Sequence, residues 1–184
     1  MFRRTVLGVA VTLLGLVGVA APQASAQVST AAVVITYDDS QAAEFVDVVA
    51  QGVAVWNDAL TNVQIDKVAP GATADITVVA NDGWPQATLG PFFPGEHGTV
   101  WYGRQAVNDG YNQVRIASHE FGHILGLPDM KPGPCSSLMS GSTGGVDCQN
   151  TQPNAEEIAA VEDNYASGGA NIPAQRKGTV VVDR

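Results

Sequence analysis

Hydrophobic residues recur along this chain with two different periods, and these periods predict its strands and helices. Residues 31–39 are rich in β-branched side chains, as are residues 63–69 and 74–82, and each stretch predicts a strand. Residues 41–60 are different, because their large apolar side chains recur at steps of three and four. That spacing predicts a long helix with one buried face, formed by Phe45, Val48, Val49, Val53, Trp56 and Leu60.

Prolines and glycines interrupt this pattern over residues 81–96, which contain three of each. They predict a long surface loop that carries Trp84, Phe92 and Phe93. Two arrangements of these aromatic side chains are open: they face a ligand from the surface, or they fold back over the core as a lid. Residues 98–103 (GTVWYG) then predict a short strand between glycines.

Two more helices are predicted in the second half of the chain. Residues 114–127 place apolar side chains over much of a helix that Pro128 stops. Residues 152–167 start with a Gln-Pro-Asn sequence and precede two glycines, as helices commonly do. The tail, residues 168–184, is polar except for a valine run that either adds an edge strand or stays loose. Together the elements predict an α+β fold with a twisted mixed sheet of about four or five strands and three helices.

The first 26 residues have the pattern of an export signal. Two arginines precede the largely apolar residues 5–21, and Ala24-Ser25-Ala26 fits a signal-peptidase site, so we expect cleavage after Ala26 and secretion. A membrane anchor is the alternative, because the apolar run is near the shortest length that spans a bilayer. Three glycines in the run and the cleavage site favour secretion. Residues 27–167 then form one domain, since a chain of 184 residues is too short for two comfortable domains.

The acidic balance of the chain narrows its partners. The predicted signal contains two of the nine basic residues and none of the eighteen acidic ones, so the formal charge moves from −9 to near −11 on export. Nucleic acid is therefore not an expected partner, since phosphate contacts need a basic face. Such acidity suits an extracellular protein or a calcium binder. Cys135 and Cys148 flank a loop rich in Gly and Ser, and in an oxidising compartment they predict a disulfide.

The sequence HEFGH has two interpretations. On a helix, His119 and His123 lie one turn apart on the same face, so both imidazoles can reach one ion while Glu120 points at a water on that ion. The other interpretation is an apolar helix whose histidines are hydrogen-bonded core residues. The residues that follow favour the metal site, because Gly126 lets the chain leave the helix and Asp129 can then return as a third ligand.

Met139 lies ten residues beyond Asp129, in a predicted tight turn. A helical histidine pair, a glycine exit, a third ligand and a downstream methionine form the metzincin layout, so we predict a zincin-like or metzincin-like fold with the metal motif on one helix. Asp129 stands where that layout usually has histidine. His97 is an alternative third ligand, but its loop has no fixed spacing to the helix, and we expect it at the rim of the cleft.

The stretches HEFGHILGLPD and CSSLMSG, with the second cysteine, resemble snapalysin, a family of small neutral metalloproteases that actinomycetes secrete. The likeness covers roughly residues 31–167. It implies a secreted zinc metalloendopeptidase that acts on polypeptides and prefers Tyr or Phe just after the scissile bond. The roles that it implies are zinc ligands for His119, His123 and Asp129, a catalytic base for Glu120, and a methionine beneath the site for Met139.

Two positions depart from the resembling family. Lys131 stands where the family commonly has a tyrosine that assists the transition state. Its side chain either points inward to a developing oxyanion or is solvated, and we expect the solvated arrangement. The family holds calcium just ahead of the zinc helix, where this chain has Asn112 in place of the usual aspartate. The resemblance implies that the Asn112 side-chain oxygen and the Val114 carbonyl would be the calcium ligands here, with weaker charge attraction than an aspartate provides.

The predicted mechanism follows from the ligand set. Three protein ligands leave one tetrahedral position for a water, whose pKa zinc lowers to about 7. Glu120 takes the proton during attack on the peptide carbonyl and passes it to the leaving nitrogen. An edge strand holds the substrate extended, and residues 98–103 are the predicted edge. The alternative function is a catalytically silent domain that binds zinc or peptide, against which the intact Glu120 argues. We expect a monomer without stable membrane association.

Overall fold

The computed structural model describes residues 31–70, 72–166 and 177–184, so the predicted export signal lies outside the described residues. Within them the chain forms a single six-stranded mixed sheet, one strand more than the upper expectation, with helices around it. The predicted α+β class is confirmed. The strands are β1 (Val33–Gln41), β2 (Val63–Lys67), β3 (Ile76–Asn81), β4 (Gln86–Thr88), β5 (Gly98–Gly103) and β6 (Val180–Val182). The α-helices are α1 (Val46–Ala59), α2 (Arg104–Asn108), α3 (Gln113–Ile124) and α4 (Ala155–Ala166).

The strands lie in the order β2-β1-β3-β5-β4-β6. The first four of these pair in parallel, whereas β4 is antiparallel to β5 and β6 is antiparallel to β4. The central strands alternate buried and partly exposed positions, and the core side of the sheet includes Ile35, Ile76, Val78 and Val100, each at most 1% exposed. Residues 177–184, which we call the β6 segment, contain the valine run of the tail. Their strand β6 pairs with β4 and forms one edge of the sheet, as one of the two expectations for the tail had it.

Two predictions about the cleft side of the sheet are wrong. Residues 81–96 contain a strand, β4, although their prolines and glycines predicted an irregular loop. Residues 98–103 do form a strand, β5, but it lies inside the sheet between β3 and β4 and is not an edge. The reason is the same in both cases: Gln86 and Ala87 pair with Trp101 and Val100, and this pairing covers the free side of β5.

The metal-motif helix α3 packs closely against α1. A Cβ added at Gly52 would lie 2.5 Å from the Ala117 Cβ, so the two backbones approach as only a glycine permits. Trp56 is fully buried between them, and its indole Nε1 donates a hydrogen bond to the Ser118 carbonyl (2.7 Å). The predicted first helix begins later than expected, because β1 continues to Gln41 and a 3-10 turn, Ala43–Phe45, precedes α1.

The last predicted helix and the disulfide are both present. The Asn154 side chain caps α4 by accepting hydrogen bonds from the Glu156 and Glu157 amides, at 2.9 Å each. Cys135 and Cys148 are bonded, with their Cα atoms 5.5 Å apart. Among residues 31–70, 72–166 and 177–184, none of the helices combines the length and apolar character that crossing a bilayer requires.

Candidate metal centre

The helix α3 and the turn after it present three side chains to one point. His119 and His123 are one turn apart, and both are buried. The helix ends at Ile124. Gly126 follows with a φ of +98°, a left-handed conformation that favours glycine, and its amide donates to the His123 carbonyl (2.9 Å). The reversed chain brings Asp129 back beside both imidazoles, as the sequence predicted.

The spacing of these three side chains fits a tetrahedral metal ion. One Asp129 oxygen, Oδ1, lies 3.3 Å from His119 Nε2 and 3.5 Å from His123 Nε2. Ligands at about 2.0–2.1 Å from a tetrahedral zinc are about 3.3 Å from one another. The three atoms are buried, and none makes a hydrogen bond of good geometry with any described residue. Because buried polar atoms are normally satisfied, this convergence is best explained by a bound cation.

The hydrogen bonds of the two imidazoles set their tautomers. His119 Nδ1 lies 3.0 Å from the Leu138 carbonyl, and His123 Nδ1 lies 2.7 Å from the Leu127 carbonyl. A carbonyl can only accept, so each Nδ1 carries the hydrogen and donates it. Each Nε2 is then left with its lone pair directed at the cluster, as a metal ligand requires.

The electrostatics of the cluster favour a cation. Burial raises the pKa of the Asp129 carboxyl, but the two adjacent imidazoles outweigh burial and hold it well below its usual range. Burial alone lowers the pKa of His119, but the Asp183 and Asp129 carboxylates raise it to about 9. Burial lowers the pKa of His123. The carboxylates therefore keep their charge, and a bound metal would supply the positive charge that they face.

Glu120 lies beside the cluster of His119, His123 and Asp129 but is not one of its three candidate ligands. Its side chain is fully buried, and both carboxylate oxygens lack hydrogen-bond partners among the described residues. Burial raises the pKa of Glu120 well above its usual value, against the opposing effect of nearby His119. A buried carboxylate with a raised pKa next to a metal cluster has the properties of a general base that must take up a proton.

Met139 lies beneath α3, in the 3-10 segment Leu138–Gly144, as the sequence predicted. A Cβ added at Gly122 would meet its sulfur at 2.5 Å. Two buried charged residues that the sequence did not single out for this role hold the segment. Glu157 accepts from the Met139 amide (2.8 Å), and Arg115 donates to the Ser137 carbonyl (2.8 Å).

A small cavity, open to solvent, lies beside His119. Its lining includes Trp84, Tyr111 and Ile116. Trp84 and Tyr111 pack edge to face with their ring centroids 6.1 Å apart. The other loop aromatics fold back over the core, since Phe92 is 3% exposed and Tyr165 donates a hydrogen bond to its carbonyl (2.9 Å). The lid arrangement is thus correct for Phe92, while Trp84 borders the cavity.

The sequence of the chain matches, over residues 32–168, the model of the Streptomyces extracellular neutral proteinase (M7) family. The chain belongs to the M7 family. It is 39% identical over 145 residues to an extracellular small neutral protease of Streptomyces coelicolor and 36% identical over 137 residues to one of Streptomyces caespitosus. It spans 65% of the length of the former and 99% of the latter, and these matches cover 78% and 74% of this chain. The resemblance inferred from the motif is confirmed.

Among solved structures, this M7 chain is similar to high choriolytic enzyme 1, a hatching enzyme zinc-protease from the medaka fish Oryzias latipes. The TM-score is 0.50 at 18% identity, and the match covers 73% of this chain and 90% of the other. At this identity the likeness concerns the fold alone, and it confirms the predicted zincin-like architecture.

Lys131 and Asp183 depart from the expectations for this M7 chain. Lys131 is not solvated: its side chain is 17% exposed, and Nζ lies 3.4 Å from Asp129 Oδ2 and contacts Asp183 Oδ1. Asp183, on the β6 segment, places Oδ2 3.8 Å from His119 Nε2. Sequence reasoning missed Asp183 because its single local signal is an acidic residue after a valine run, which also describes an ordinary exposed turn.

The predicted calcium ligands of this M7 chain have other partners. The Asn112 side chain caps α3 by accepting from the Arg115 amide (3.0 Å) and donates to Gln149 (2.8 Å), while the Val114 carbonyl accepts from the Ser118 hydroxyl (2.9 Å). These contacts lend calcium no support. His97 is exposed and does not belong to the metal-ligand cluster, so its assignment as third ligand is also unsupported.

Proposed function

We propose that this M7-family chain is a secreted, extracellular zinc metalloendopeptidase that hydrolyses peptide bonds in polypeptides. The observation that supports it is the convergence of three buried, unpartnered ligand atoms on His119, His123 and Asp129, with the buried Glu120 carboxylate beside them. The relatives are extracellular small neutral proteases by name, and the same class of activity is proposed for this chain. We expect the exported form to begin at Gln27 and to act as a monomer.

His119, His123 and Asp129 would hold the metal. Bound by three protein side chains, zinc supplies Lewis acidity that polarises a peptide carbonyl and makes a water acidic near neutral pH. The Leu138 and Leu127 carbonyls accept from the two Nδ1 atoms, which fixes the direction of the rings and leaves each Nε2 to bind the metal. Asp129 brings one negative charge to the ligand set, which strengthens the hold on the cation.

Glu120 is the proposed general base. It is adjacent in sequence to a metal ligand, is not itself needed for the three-ligand set, and lies in a buried position from which it accepts the proton of the attacking water. Its raised pKa makes the protonated form accessible, so it can then deliver that proton to the leaving nitrogen. Burial also shields the carboxyl from exchange with bulk water.

The cavity beside His119 is the proposed pocket for the side chain just after the scissile bond. Trp84, Tyr111 and Ile116 line it, so its walls are largely aromatic and apolar. An aromatic side chain would pack against these rings at the offset or edge-on geometries that aromatic pairs prefer. We therefore propose a preference for Tyr or Phe at that position of the substrate.

Hydrolysis of casein by zinc-loaded protein tests this function. Glu120→Gln should lower kcat by about 10²–10⁴-fold, the range for loss of a general base, while zinc content stays at the native level. The control is Glu156→Gln, which changes an exposed carboxylate on α4 and should leave both unchanged. A metal chelator should abolish hydrolysis, and added zinc should restore it.

Two results would contradict the proposal. Retention of full activity by Glu120→Gln would remove the role of the base. Absence of casein hydrolysis by zinc-loaded protein, with zinc bound, would favour the silent binding domain. Peptide libraries with single aromatic residues test the pocket separately, since cleavage before Tyr or Phe should exceed cleavage before Ala.

A further inference from the structure

The β6 segment runs along β4 beside the metal centre, and backbone hydrogen bonds hold it at both ends. Leu89 accepts from the Gly178 amide (2.7 Å) and donates to the Thr179 carbonyl (2.8 Å). The strands then pair antiparallel, and the Asp183 amide donates to the Pro85 carbonyl (2.9 Å). An extended peptide that adds to a sheet edge in this way is a recognised mode of peptide binding.

The side chains of β6 bury little apolar surface. Val180 is 50% exposed and Val182 is 40% exposed, whereas Val78 on β3 and Val100 on β5 are at most 1% exposed. Apolar burial therefore contributes little to holding this strand. Its attachment depends on the backbone pairing and on charged contacts at the ends, one of which joins Lys177 to Glu96. Backbone pairing and charged contacts are how an exchangeable peptide ligand is held, whereas a core strand is held mainly by buried apolar side chains.

Asp183 is the exception, because its side chain points at the metal centre. The residue is 6% exposed, and Oδ2 lies 3.8 Å from His119 Nε2. Oδ1 contacts Lys131 Nζ and accepts a hydrogen bond from the Ser142 amide (3.3 Å). A Cβ added at Gly141 would overlap this carboxylate, so the glycine leaves the space that Asp183 occupies.

We infer that the β6 segment is an internal inhibitor of the site, with the Asp183 carboxylate placed beside His119 where it blocks the approach of water and substrate to the metal centre. The inference rests on the proposed function, because it takes the site to be that of a peptidase. A catalytic zinc site keeps one position open for water, and the Asp183 carboxylate, with Oδ2 3.8 Å from His119 Nε2, takes up space on that side of the site. Ligand atoms of His119, Glu120 and Asp183 lie within 4.8 Å of one another, so Asp183 also occupies the space in front of the base.

Lys131 compensates the additional negative charge. Its Nζ lies 3.4 Å from Asp129 Oδ2 and contacts Asp183 Oδ1, so one ammonium group bridges the two carboxylates. Two carboxylates this close repel each other unless a cation lies between them. Lys131 therefore favours the paired state of the β6 segment and loses one of its two partners when the segment leaves.

Cobalt substitution tests the effect of Asp183 on the metal site without relying on activity. Three proteins are loaded with Co²⁺: the full chain, a chain that stops after residue 176, and Asp183→Asn. The visible absorption of Co²⁺ responds to its ligands, so the deletion and Asp183→Asn should both change the spectrum of the full chain. Asp58→Asn removes an exposed carboxylate on α1 and is the control that should leave it unchanged. Asp183→Asn keeps the strand and serves as the test if the shortened chain does not fold.

An acetylated peptide with the sequence of residues 177–184 tests the binding edge. Added to the cobalt-loaded shortened chain, it should restore the spectrum of the full chain, whereas the same peptide with asparagine in place of Asp183 should not. A tethered ligand acts at an effective concentration on the order of 1 mM. If the free peptide binds with a Kd of about 0.1 mM, the deletion should therefore raise casein hydrolysis roughly tenfold.

The outcomes separate this inference from the proposed function. Identical cobalt spectra for all proteins, together with no peptide binding, overturn the inference, and the function stands if the zinc-loaded proteins still hydrolyse casein. Failure of the shortened chain to hydrolyse casein counts against the function. A spectral change that depends on Asp183 would in that case still establish that the carboxylate occupies the metal site.

Discussion

The metal centre and the sheet edge beside it are assembled from the sequence in opposite ways. The metal centre takes its three proposed ligands and its proposed base from residues 119–129, one helix and the turn after it. The edge is formed by β4 and β6, which are joined where Gln86 pairs with Val182. The first depends on local geometry, and the second depends on which distant segments meet.

This difference also appears in how the two regions are held. Buried polar contacts support the metal centre, with Glu157 and Arg115 beneath it at 4% exposure each. Backbone pairing supports β6, and its valines remain partly exposed. We therefore expect perturbation of the metal centre to cost stability or metal affinity, and perturbation of the edge to change access to the site.

The largest expected effect is on the support of the metal centre. Glu157→Ala removes a carboxylate that accepts from the Ser137 hydroxyl (2.7 Å) and from the Met139 (2.8 Å) and Asn154 (2.7 Å) amides. These buried donors would lose a charged acceptor, so the free energy of unfolding should fall by about 3–5 kcal/mol. Urea unfolding of the zinc-free protein measures the loss.

The neighbouring residue on α4 provides the control for this change. Glu156 is exposed, and Glu156→Ala should alter the free energy of unfolding by less than about 0.5 kcal/mol. Equal losses for the two variants would show that the buried carboxylate is not the support of the turn, and the comparison between the two regions would break.

A smaller effect is expected for one ligand of the metal centre. Asp129→Asn replaces a charged oxygen with an amide at the point where His119 and His123 converge. Loss of an outer-shell partner alone typically costs 10–100-fold in metal affinity, so loss of a ligand charge should weaken zinc binding by about 100-fold, or about 2.7 kcal/mol. Competition with a chromophoric chelator measures the affinity, with Asp58→Asn as the control. An unchanged affinity would remove Asp129 from the ligand set.

The smallest expected effect is on stability at the edge. Deletion of residues 177–184 should change the free energy of unfolding by less than about 2 kcal/mol, because the entropy of eight released residues offsets the hydrogen bonds that are lost. Urea unfolding of the full and shortened chains measures the difference. A loss above about 4 kcal/mol would make β6 a structural strand and contradict the distinction drawn between the two regions.

The metal centre could be predicted because its information is local. Helical spacing places His119 and His123 on one face, and the glycine exit at Gly126 returns the chain to within reach of them. The structure brings Asp129 to that point, and it places Met139 under the same helix. The disulfide likewise joins two cysteines whose separation is short.

The edge could not be predicted in the same way. β4 has three residues among prolines and glycines, and it is a strand because β5 and β6 pair with it from either side. If β4 is not recognised as a strand, β5 has no neighbour on that side and is taken for an edge strand. Lys131 is turned inward by Asp183, which lies 52 residues further along the chain. Propensity and spacing carry no information about such long-range partners.

Gly122 and Met139 link the chemistry of the site to its packing. The methionine sulfur fills the volume that any side chain at position 122 would need, and the carbonyl of the preceding residue, Leu138, is the one that fixes the His119 ring. The helix α3 and the segment Leu138–Gly144 are therefore packed so closely that neither can gain volume at this contact without displacing the other. A larger residue at position 122 therefore requires a matching change in the turn beneath the helix, and such a change would also move the carbonyl that orients a proposed metal ligand.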